Sequence, residues 1–359
     1  MARYQLLIEY VGTDFRGWQI QKKGSTIQGL IQEKLTKLLK EKIILNGSGR
    51  TDTGVHAIEQ SGHFDSKNEI IDLTKFLKSI NHFLNDKGVA IKKIRKRSNK
   101  FHSRFSAKQR IYKYIIFNQI SAPVIEKKRG WQIQTKGLTI QGIIQEKLKK
   151  LLKEKIILNG SGRTDTGVHA TEQSAHFDCE NKIIDFTKFL KSINYFLNDK
   201  GVAITKIKKK SKNFHARFSA KQRIYKYIIF NQISSPVIEK KRGWHVRKPL
   251  DLDLIKKGAK KLLGTNDYST FRSSSCHAKS PIKTIKSIKV RSSKNKIEIE
   301  FKSQSFLQQQ VRSMVGCLKY LGEKKWDLKT FNKVFRSKKR ILCAPPAPPE
   351  GLFLSRIIY

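Results

Sequence analysis

The feature that most constrains this chain is an internal repeat of domain size. The triplet Arg-Gly-Trp occurs at residues 16–18, 129–131 and 242–244, at a constant spacing of 113 residues. Residues 16–128 (copy 1) and 129–241 (copy 2) align without a gap, and about 95 of the 113 positions are identical. Solenoid repeats are much shorter, roughly 20–50 residues. The repeat therefore predicts two copies of one domain-sized block, and removing one of them from the 359 residues leaves 246.

The charge balance indicates what these blocks bind. The chain has 75 Lys and Arg against 28 Asp and Glu, a formal net charge of +47 that is spread along the whole sequence. Lys and Arg gain affinity for a polyanion by releasing counterions from its phosphates, so a nucleic acid is the natural partner. The alternative is a lysine-rich composition without a partner. Runs of basic residues at 92–97 and 206–210 are expected to contact phosphates, or else to be a solvated strand edge.

Composition also limits the cellular setting. Hydrophobic residues make up 38% of the chain, which is enough for real cores. No stretch of about 18 apolar residues exists, which excludes a transmembrane helix, and the polar start of the chain is not expected to be a signal peptide. The four cysteines form no C-x-x-C pair, so neither a zinc site nor a disulfide framework is expected. We therefore expect a cytoplasmic protein without a metal.

Hydrophobic periodicity predicts a mixture of helices and strands. Apolar spacing predicts helices at 27–39 and 73–84, the first with a capping box of Ser25 and Gln28. In copy 2 a leucine replaces that serine, so Thr139 has to provide the cap. Strands are expected at residues 43–45, 59–64, 89–94 and 110–117, and the C-terminal part continues with a hairpin and further helices. Because the elements do not alternate strictly as βαβ, the fold class is α+β with antiparallel sheets.

The strongest local candidate for a functional site is a glycine-rich turn, residues 47–54 in copy 1 and 160–167 in copy 2, with the sequence Gly-Ser-Gly-Arg-Thr-Asp-Thr-Gly. Its glycines allow close approach of a ligand, and it places one carboxylate beside one guanidinium. It is not a Walker loop because no Lys-Ser/Thr follows the last glycine, and one carboxylate with one histidine does not form a metal cage. From spacing alone, a tight turn in which the aspartate caps its own backbone is the favoured explanation.

The wider sequence resembles a known family. Gly-Arg-Thr-Asp-Thr-Gly-Val-His-Ala closely resembles the active-site motif of the TruA-type tRNA pseudouridine synthases. Further blocks resemble the family in its own order, and they cover the whole chain once one copy is removed; they lie at residues 15–19, 214–220, 223–227, 267–272, 305–306, 311–312 and 345–352. The resemblance implies ferredoxin-like half-domains, with helices packed on one face of each sheet and an active-site cleft between the halves.

The resemblance also implies an activity. The family isomerises uridine to pseudouridine at positions 38, 39 and 40 in the anticodon stem-loop of tRNA. It breaks the N-glycosidic bond, turns the detached base and joins C5 to the sugar, and it needs neither cofactor nor metal. An aspartate is the nucleophile, and two targets for its attack, the sugar and the base, are under debate. Partners implied for this chain are tRNA and, as in the family, a second copy in a homodimer, with no membrane involved.

Individual residues take their implied roles from the matching motifs. The catalytic aspartate corresponds to Asp52 in copy 1 and to Asp165 in copy 2. Arg312 matches the arginine that pairs with that aspartate. An ionised carboxylate is required for attack, and a neighbouring arginine favours the ionised form.

Residues that would hold the substrate occur in both copies as well. The family tyrosine that stacks on the target base corresponds to Tyr112 and Tyr225. Arg50 and Arg163 match the motif arginine placed near the flipped nucleotide. The chain departs from the family before Arg312, where three glutamines, residues 308–310, replace the usual pair of histidines.

The extra block is the larger departure from the family pattern. The chain has two halves of the N-terminal type, 1–104 and 105–217, and one C-terminal half, 218–359. We hypothesise that the strand at 110–117 replaces the missing opening strand of copy 2, so that Asp165 faces the C-terminal half in its natural register. One alternative loops out copy 1 and lets residues 4–11 pair with copy 2. Another is that the working protein is the 246-residue form.

Three functions remain open from the sequence. The first is a tRNA pseudouridine synthase. The second is a non-catalytic RNA-binding protein or RNA chaperone derived from such an enzyme, which the intact Asp52, Asp165 and Tyr225 argue against. The third is a regulatory or scaffold protein in which one copy only mediates assembly.

Overall fold

A computed structural model of the chain describes residues 1–21, 23–113, 139–198 and 200–359. The chain divides into two compact units. Unit 1 comprises residues 1–115, 232–240 and 245–248, and unit 2 comprises residues 116–231, 241–244 and 249–359. Unit 1 therefore contains most of copy 1, and unit 2 contains most of copy 2 with most of the C-terminal half. Among the described helices, none is long and apolar enough to cross a membrane.

Unit 1 is a ferredoxin-like half-domain. Its elements in chain order are β1 (Ala2–Tyr10), α1 (Ile27–Leu39), β2 (Asn46–Gly47), β3 (Ala57–Ser66), α2 (Leu73–Phe83) and β4 (Val89–Arg97). The sheet has the order β2-β3-β1-β4, and each adjacent pair is antiparallel. This is the βαββαβ arrangement of the ferredoxin-like motif. The expected fold class, α+β with antiparallel sheets, is confirmed.

Strand β1 is central to this unit because it pairs with β3 on one side and with β4 on the other. Its side chains alternate between the two faces of the sheet, and Tyr4, Leu6 and Ile8 are completely buried. They form one core with the apolar faces of α1 and α2. The expected strand 43–45 is wrong, since β2 begins only at Asn46. The basic run of copy 1 continues β4 as far as Arg97 along one edge of the sheet.

Helix α1 begins as its sequence predicts, but a different residue caps it. The Thr26 hydroxyl accepts a hydrogen bond from the Gly29 N–H at 3.3 Å, so the expected capping box of Ser25 and Gln28 is wrong. In copy 2 the Thr139 hydroxyl accepts from the Gly142 N–H at 3.1 Å, as expected. A threonine at the equivalent position therefore caps the N-terminus of this helix in both copies.

Copy 2 forms the same helices with much less sheet. Its helices are α3 (Ile140–Leu152) and α4 (Phe186–Phe196), and its strands are β5 (Asn159–Gly160), β6 (His169–Ala170) and β7 (Ala175–His176). Strand β5 pairs with β7. The counterpart of β4, residues 202–210, contains no strand. On the helices of copy 2, Leu148 and Ile193 stay buried, but Ile140 is 51% exposed although its counterpart Ile27 is completely buried. Phe177 and Ile204 are only half-buried, whereas their copy-1 counterparts, Phe64 and Ile91, are completely buried.

The C-terminal half builds a second sheet of the same type. After β8 (Gln222–Asn231) and β9 (Trp244–Val246) come α5 (Leu252–Lys261), β10 (Gly264–Asp267), β11 (Ile282–Ser293), β12 (Lys296–Ser303), α6 (Gln310–Gly322), α7 (Leu328–Arg336) and β13 (Leu352–Ile358). Its main path is β10-β11-β12-β8-β13-β6, so β8 occupies the central place that β1 has in unit 1. The expected hairpin is confirmed as β11 and β12.

The segment Arg-Ile-Tyr-Lys occurs twice, at residues 110–113 and, near the start of β8, at residues 223–226. At residues 110–113 it is not a strand, and the rest of the strand expected at 110–117 lies outside the described residues. The Arg-Gly-Trp triplet of copy 2, at 129–131, lies outside them too. Our hypothesis that 110–117 opens copy 2 therefore stays a prediction.

Hydrogen exchange tests the difference between the two copies. Amides of residues 89–97 are held in the ladder between β4 and β1, so we expect them to exchange at least about tenfold more slowly than those of residues 202–210. The two segments differ at only three positions, so their intrinsic exchange rates are similar. Deuterium uptake of peptides covering each segment, followed by mass spectrometry, measures the ratio.

Helices α2 and α4 serve as the internal control for this comparison. Both are present, and each is capped by an aspartate, Asp72 in α2 and Asp185 in α4. Their amides should have similar protection. Equal protection of residues 89–97 and 202–210 would contradict the structural difference, and it would favour a complete sheet in copy 2.

Candidate active site

The centre of the candidate site is an ion pair between the glycine-rich turn of copy 2 and helix α6. Arg312 Nη1 lies 2.7 Å from Asp165 Oδ2. Solvent exposure of the two side chains is 14% for Arg312 and 26% for Asp165, so the pair is shielded but can be reached by a ligand. Partial burial strengthens the attraction between opposite charges. The structure thus brings together two residues that the sequence separates by 147 positions.

Arg312 is held in place by the proline-rich segment, residues 344–349, which lies before β13. Its Nε donates a hydrogen bond to the Ala347 carbonyl at 2.8 Å, and the Ala347 N–H donates to the Arg312 carbonyl at 2.9 Å. One helical turn further on, Gly316 lets this segment approach α6 closely, because a Cβ there would lie 2.1 Å from the Pro345 carbonyl oxygen. The guanidinium therefore has a fixed direction before any substrate binds.

The turn that carries Asp165 is closed locally. The Val168 N–H donates to the Asp165 carbonyl at 3.1 Å, and Gly167 has φ +83°, which favours glycine. Copy 1 forms the same turn, with Gly54 at φ +82°. The turn is tight, as expected from spacing alone, because the Asp165 backbone carbonyl accepts a hydrogen bond within it. The Asp165 carboxylate, however, is bonded to Arg312.

The same turn is attached to the C-terminal sheet. Strand β6 pairs in parallel with β13, with His169 opposite Phe353. The imidazole of His169 stacks on the Phe353 ring with 4.7 Å between centroids, and burial lowers its pKa. Thr171 donates its N–H to the Leu354 carbonyl at 2.9 Å and its hydroxyl to the Ser355 carbonyl at 3.0 Å. Copy 2 and the C-terminal half thus position the carboxylate together.

Tyr225 lies on β8 beside this ion pair. Its ring meets Phe306 edge to face, with 5.3 Å between centroids and 89° between planes. Burial raises the pKa of Tyr225 to about 12, and the negative charge of Asp165 acts in the same direction. The phenol therefore stays neutral at physiological pH. An aromatic ring held this way can stack on a base.

Arg223, two residues before Tyr225, connects the strand to the turn. Its Nη2 donates to the carbonyls of Ser161, at 2.9 Å, and Arg217, at 2.8 Å. Burial lowers the pKa of this guanidinium. Arg163, by contrast, is exposed at the surface of the turn, where it is free to meet a polyanion.

Copy 1 has the same residues in a different setting. Within the described part of unit 1, Asp52 is exposed and forms no ion pair. Tyr112 is 76% exposed, and Arg50 is exposed as well. Arg110 still donates to the Ser48 carbonyl at 3.0 Å, as its counterpart Arg223 does to that of Ser161. Copy 1 thus keeps the shape of the turn, but the described residues of unit 1 offer no charge partner for the Asp52 carboxylate.

The glutamines before Arg312 have a structural role. Gln310 is completely buried at the start of α6, where its Oε1 accepts the Leu307 N–H at 2.7 Å. Gln309 takes φ +61° at the residue before the helix. Gln308 is exposed. The Gln310 side chain and the left-handed backbone of Gln309 thus shape the beginning of the helix that carries Arg312.

Some contributors were not identified from the sequence as site residues. Phe306 and Arg223 stand inside blocks that resemble the family, but spacing gave them no role. The Ala347 carbonyl is a backbone group and has no sequence signal beyond the prolines around it. His169 belongs to the quoted motif, but only the pairing of β6 with β13 shows what it contacts.

The described residues contain no group of three or more His, Cys, Asp or Glu side chains arranged to hold a metal ion. Asp165, Arg312 and Tyr225 bring one carboxylate, one guanidinium and one phenol together beside the turn. Such a set can supply a nucleophile, a charge partner and a stacking surface.

Comparison with known proteins identifies the family. The sequence model of the tRNA pseudouridine synthase family matches residues 6–106, 128–219 and 259–359. The chain is 69% identical over 230 residues to tRNA pseudouridine synthase A of Pelagibacter ubique, which covers 64% of this chain and 94% of that protein. It is 39% identical over 230 residues to the protein of the same name from Parvibaculum lavamentivorans, and 41% identical over 230 residues to that from Paramagnetospirillum magneticum. These alignments span 93% and 90% of those two proteins and 64% of this chain.

The extent of these matches agrees with the internal repeat. The three relatives are covered almost completely by 230 residues, so each corresponds to one N-terminal half and one C-terminal half. The family match, in contrast, includes both copies and the C-terminal part. The chain therefore belongs to the tRNA pseudouridine synthase family, a family of isomerases, and carries its N-terminal half twice.

Proposed function

We propose that this chain is a tRNA pseudouridine synthase that acts on uridines 38, 39 and 40 of the anticodon stem-loop, with Asp165 as its nucleophile. The relatives are named tRNA pseudouridine synthase A, which supports the substrate class and the reaction. The observation that carries the proposal is the ion pair of Asp165 with Arg312 beside Tyr225.

The geometry fits the chemistry of this isomerisation. Arg312 favours the ionised carboxylate of Asp165 that attack on the nucleotide requires. The N-glycosidic bond then breaks, the detached base turns, and C5 forms the new bond to the sugar. C5 loses its proton, and N1, which has left the sugar, gains one. The product has the same atoms as the substrate. The arrangement serves attack on the sugar or on the base equally well.

A base in a stem has to leave the stack before it can react. We assign Tyr225 as the surface on which the flipped base stacks, because its ring is fixed by Phe306 and stays neutral. Arg163 is exposed beside the nucleophile, and we assign it to the phosphate or to the space that the base vacates. Stacking on one aromatic ring is worth about 1–3 kcal/mol per base.

A sequence difference between the copies supports copy 2 as the catalytic one. The isoleucine at position 58 is 62% exposed in copy 1. Its counterpart in copy 2 is Thr171, whose hydroxyl donates to the Ser355 carbonyl of the C-terminal half. A threonine can make this bond and an isoleucine cannot. The two copies thus differ at a position that only copy 2 uses to hold the turn.

We keep the division into 1–104, 105–217 and 218–359 as part of the proposal. In it, Asp52, Arg50 and Tyr112 are retained from the duplication and contribute little to turnover. Part of the C-terminal half also contacts β1 of unit 1, since the Glu9 carboxylate accepts the Val237 N–H at 3.4 Å. The cytoplasmic location and the homodimer expected from the resemblance belong to the same proposal.

Isosteric replacement of the two aspartates tests which copy is catalytic. We expect Asp165→Asn to lose activity by orders of magnitude, because the amide cannot act as the nucleophile. Asp52→Asn should stay within about twofold of the unchanged chain, since its carboxylate has no charge partner among the residues of unit 1 that the structure describes. Tritium release from undermodified tRNA labelled at uridine C5 measures both variants in the full chain.

Two outcomes of that experiment would contradict the assignment. An inactive Asp52→Asn variant would mean that copy 1 is the catalytic half and that copy 2 does not contribute to catalysis. Loss of activity only in the double variant would mean that either copy can use the C-terminal half. An inactive unchanged chain that still binds tRNA would favour the non-catalytic RNA-binding protein.

Replacement of Arg312 tests the charge partner. Arg312→Gln removes the charge beside Asp165 and the bond to the Ala347 carbonyl, and we expect kcat to fall by about 10²–10³-fold with a smaller change in KM. Arg272→Gln is the control, because this arginine donates to the Cys276 and Ala278 carbonyls rather than to Asp165. An Arg312→Gln variant with unchanged kcat would remove the ion pair from the mechanism.

Salt dependence tests the contribution of the basic runs to tRNA binding. Lys206, Lys208 and Lys209 are exposed in copy 2, and each phosphate contact should make log K fall by roughly 0.7–0.9 per unit of log salt concentration. Replacing the three lysines with glutamine should make the fall of log K with log salt concentration less steep by about 2. Fluorescence anisotropy of labelled tRNA over a range of salt concentrations gives the slope.

A triple variant with the same loss of charge is the control. Lys256, Lys257 and Lys260 are exposed on α5, outside the basic runs, and their replacement with glutamine should leave the slope unchanged. If both triple variants lower the slope equally, net charge rather than the basic run accounts for binding.

A further inference from the structure

Two free cysteines lie against each other beside the segment that holds Arg312. Cys317 is on α6, and Cys343 directly precedes the proline-rich segment. Their Sγ atoms are 3.5 Å apart. A disulfide needs about 2.05 Å between the sulfurs, so the two atoms have to approach by only about 1.5 Å. The other two cysteines, Cys179 and Cys276, are also free.

The two thiols differ in access and in acidity. Cys317 is completely buried, whereas Cys343 is half-buried and follows the exposed Ile341 and Leu342. The hydrogen bond from Cys317 lowers the pKa of Cys343, and the positive charge of Arg340 adds to this effect, although burial opposes it. The same hydrogen bond and burial raise the pKa of Cys317. Cys343 is therefore the thiol that an external reagent reaches first and that ionises more readily.

Both cysteines flank the contact that directs Arg312. Cys317 follows Gly316, the residue that lets Pro345 approach the helix. Cys343 is four positions before Ala347, whose carbonyl accepts from Arg312. Drawing the sulfurs together would therefore move the proline-rich segment relative to α6 at the point where it holds the guanidinium.

We propose that Cys317 and Cys343 are a dithiol site that a small-molecule disulfide oxidises, with a loss of turnover as the result. The Cys343 thiolate attacks one sulfur of the reagent, displaces one thiolate and forms a mixed disulfide. Cys317 then gives up its proton and attacks the Cys343 sulfur, which displaces the second thiolate. The protein loses two hydrogens as protons and two electrons, and the reagent becomes two thiols.

Glutathione disulfide is the probe for this reaction in the full chain. After incubation and blocking of the remaining thiols, mass spectrometry of an unreduced digest should find the peptide of Cys317 linked to that of Cys343. Cys317→Ser should stop at the first step and carry one glutathione on Cys343, while Cys343→Ser should carry none at either position. Exposed Cys179 reports whether the reagent was active.

Turnover of tRNA is the second measurement, and this arm rests on the proposed function. The linked protein should have about tenfold lower kcat, restored by dithiothreitol, because a displacement of about 1 Å at a catalytic group is costly. The Cys317→Ser/Cys343→Ser double variant should keep its kcat in the oxidant, which separates this effect from modification of Cys179.

Three outcomes would be decisive against the proposal or its second part. Cys317 and Cys343 that stay unlinked under conditions that modify Cys179 completely would overturn the site. A linked protein with the kcat of the reduced protein would overturn its effect on turnover. A reduced protein without activity would refute the proposed function instead, and the mass measurement would still decide whether the dithiol reacts.

Discussion

Backbone hydrogen bonds to a central strand determine which segments of this chain form strands. In unit 1 the strand β1 bonds β3 and β4 on its two sides, and the sheet is complete. In copy 2 nearly the same sequence gives the same two helices, but residues 202–210 contain no strand. A helix satisfies its backbone groups within itself, whereas a strand depends on a neighbour. Identical residues therefore keep their helices and lose their strands when the neighbour changes.

The candidate site follows from the same dependence. Residues His169 and Ala170 form β6 at the edge of the sheet beside β13, whereas in copy 1 the equivalent Ala57 belongs to β3 and pairs with Tyr10. The turn that precedes them keeps its shape in both settings, because its glycine and its internal hydrogen bond are local. The two turns differ in the strand to which they are attached. Only the attachment to the C-terminal half places a guanidinium 2.7 Å from the carboxylate of Asp165.

These distinctions mark how far the sequence predicts the structure. Helix bounds, the threonine cap of α3 and the hairpin of β11 and β12 follow from local chemistry, and the structure has them. The pairing of Asp165 with Arg312 was expected only from resemblance to a family, since 147 positions separate the two residues. The bond from Arg312 to the Ala347 carbonyl could not be expected, because a backbone acceptor has no residue type that signals it. Strand 43–45 failed because apolar residues there pack into the core without a ladder partner.

Gly316 links the packing of the C-terminal half to the chemistry of the turn. Its missing side chain leaves the space that the Pro345 carbonyl occupies, so the distance between α6 and the proline-rich segment is set there. Any substitution at this position would separate the two, and the Ala347 carbonyl would move away from the Arg312 guanidinium with it. A substitution at Gly316 would therefore change the packing of the protein interior, but its first effect would be to turn the Arg312 guanidinium, several residues away, from its direction.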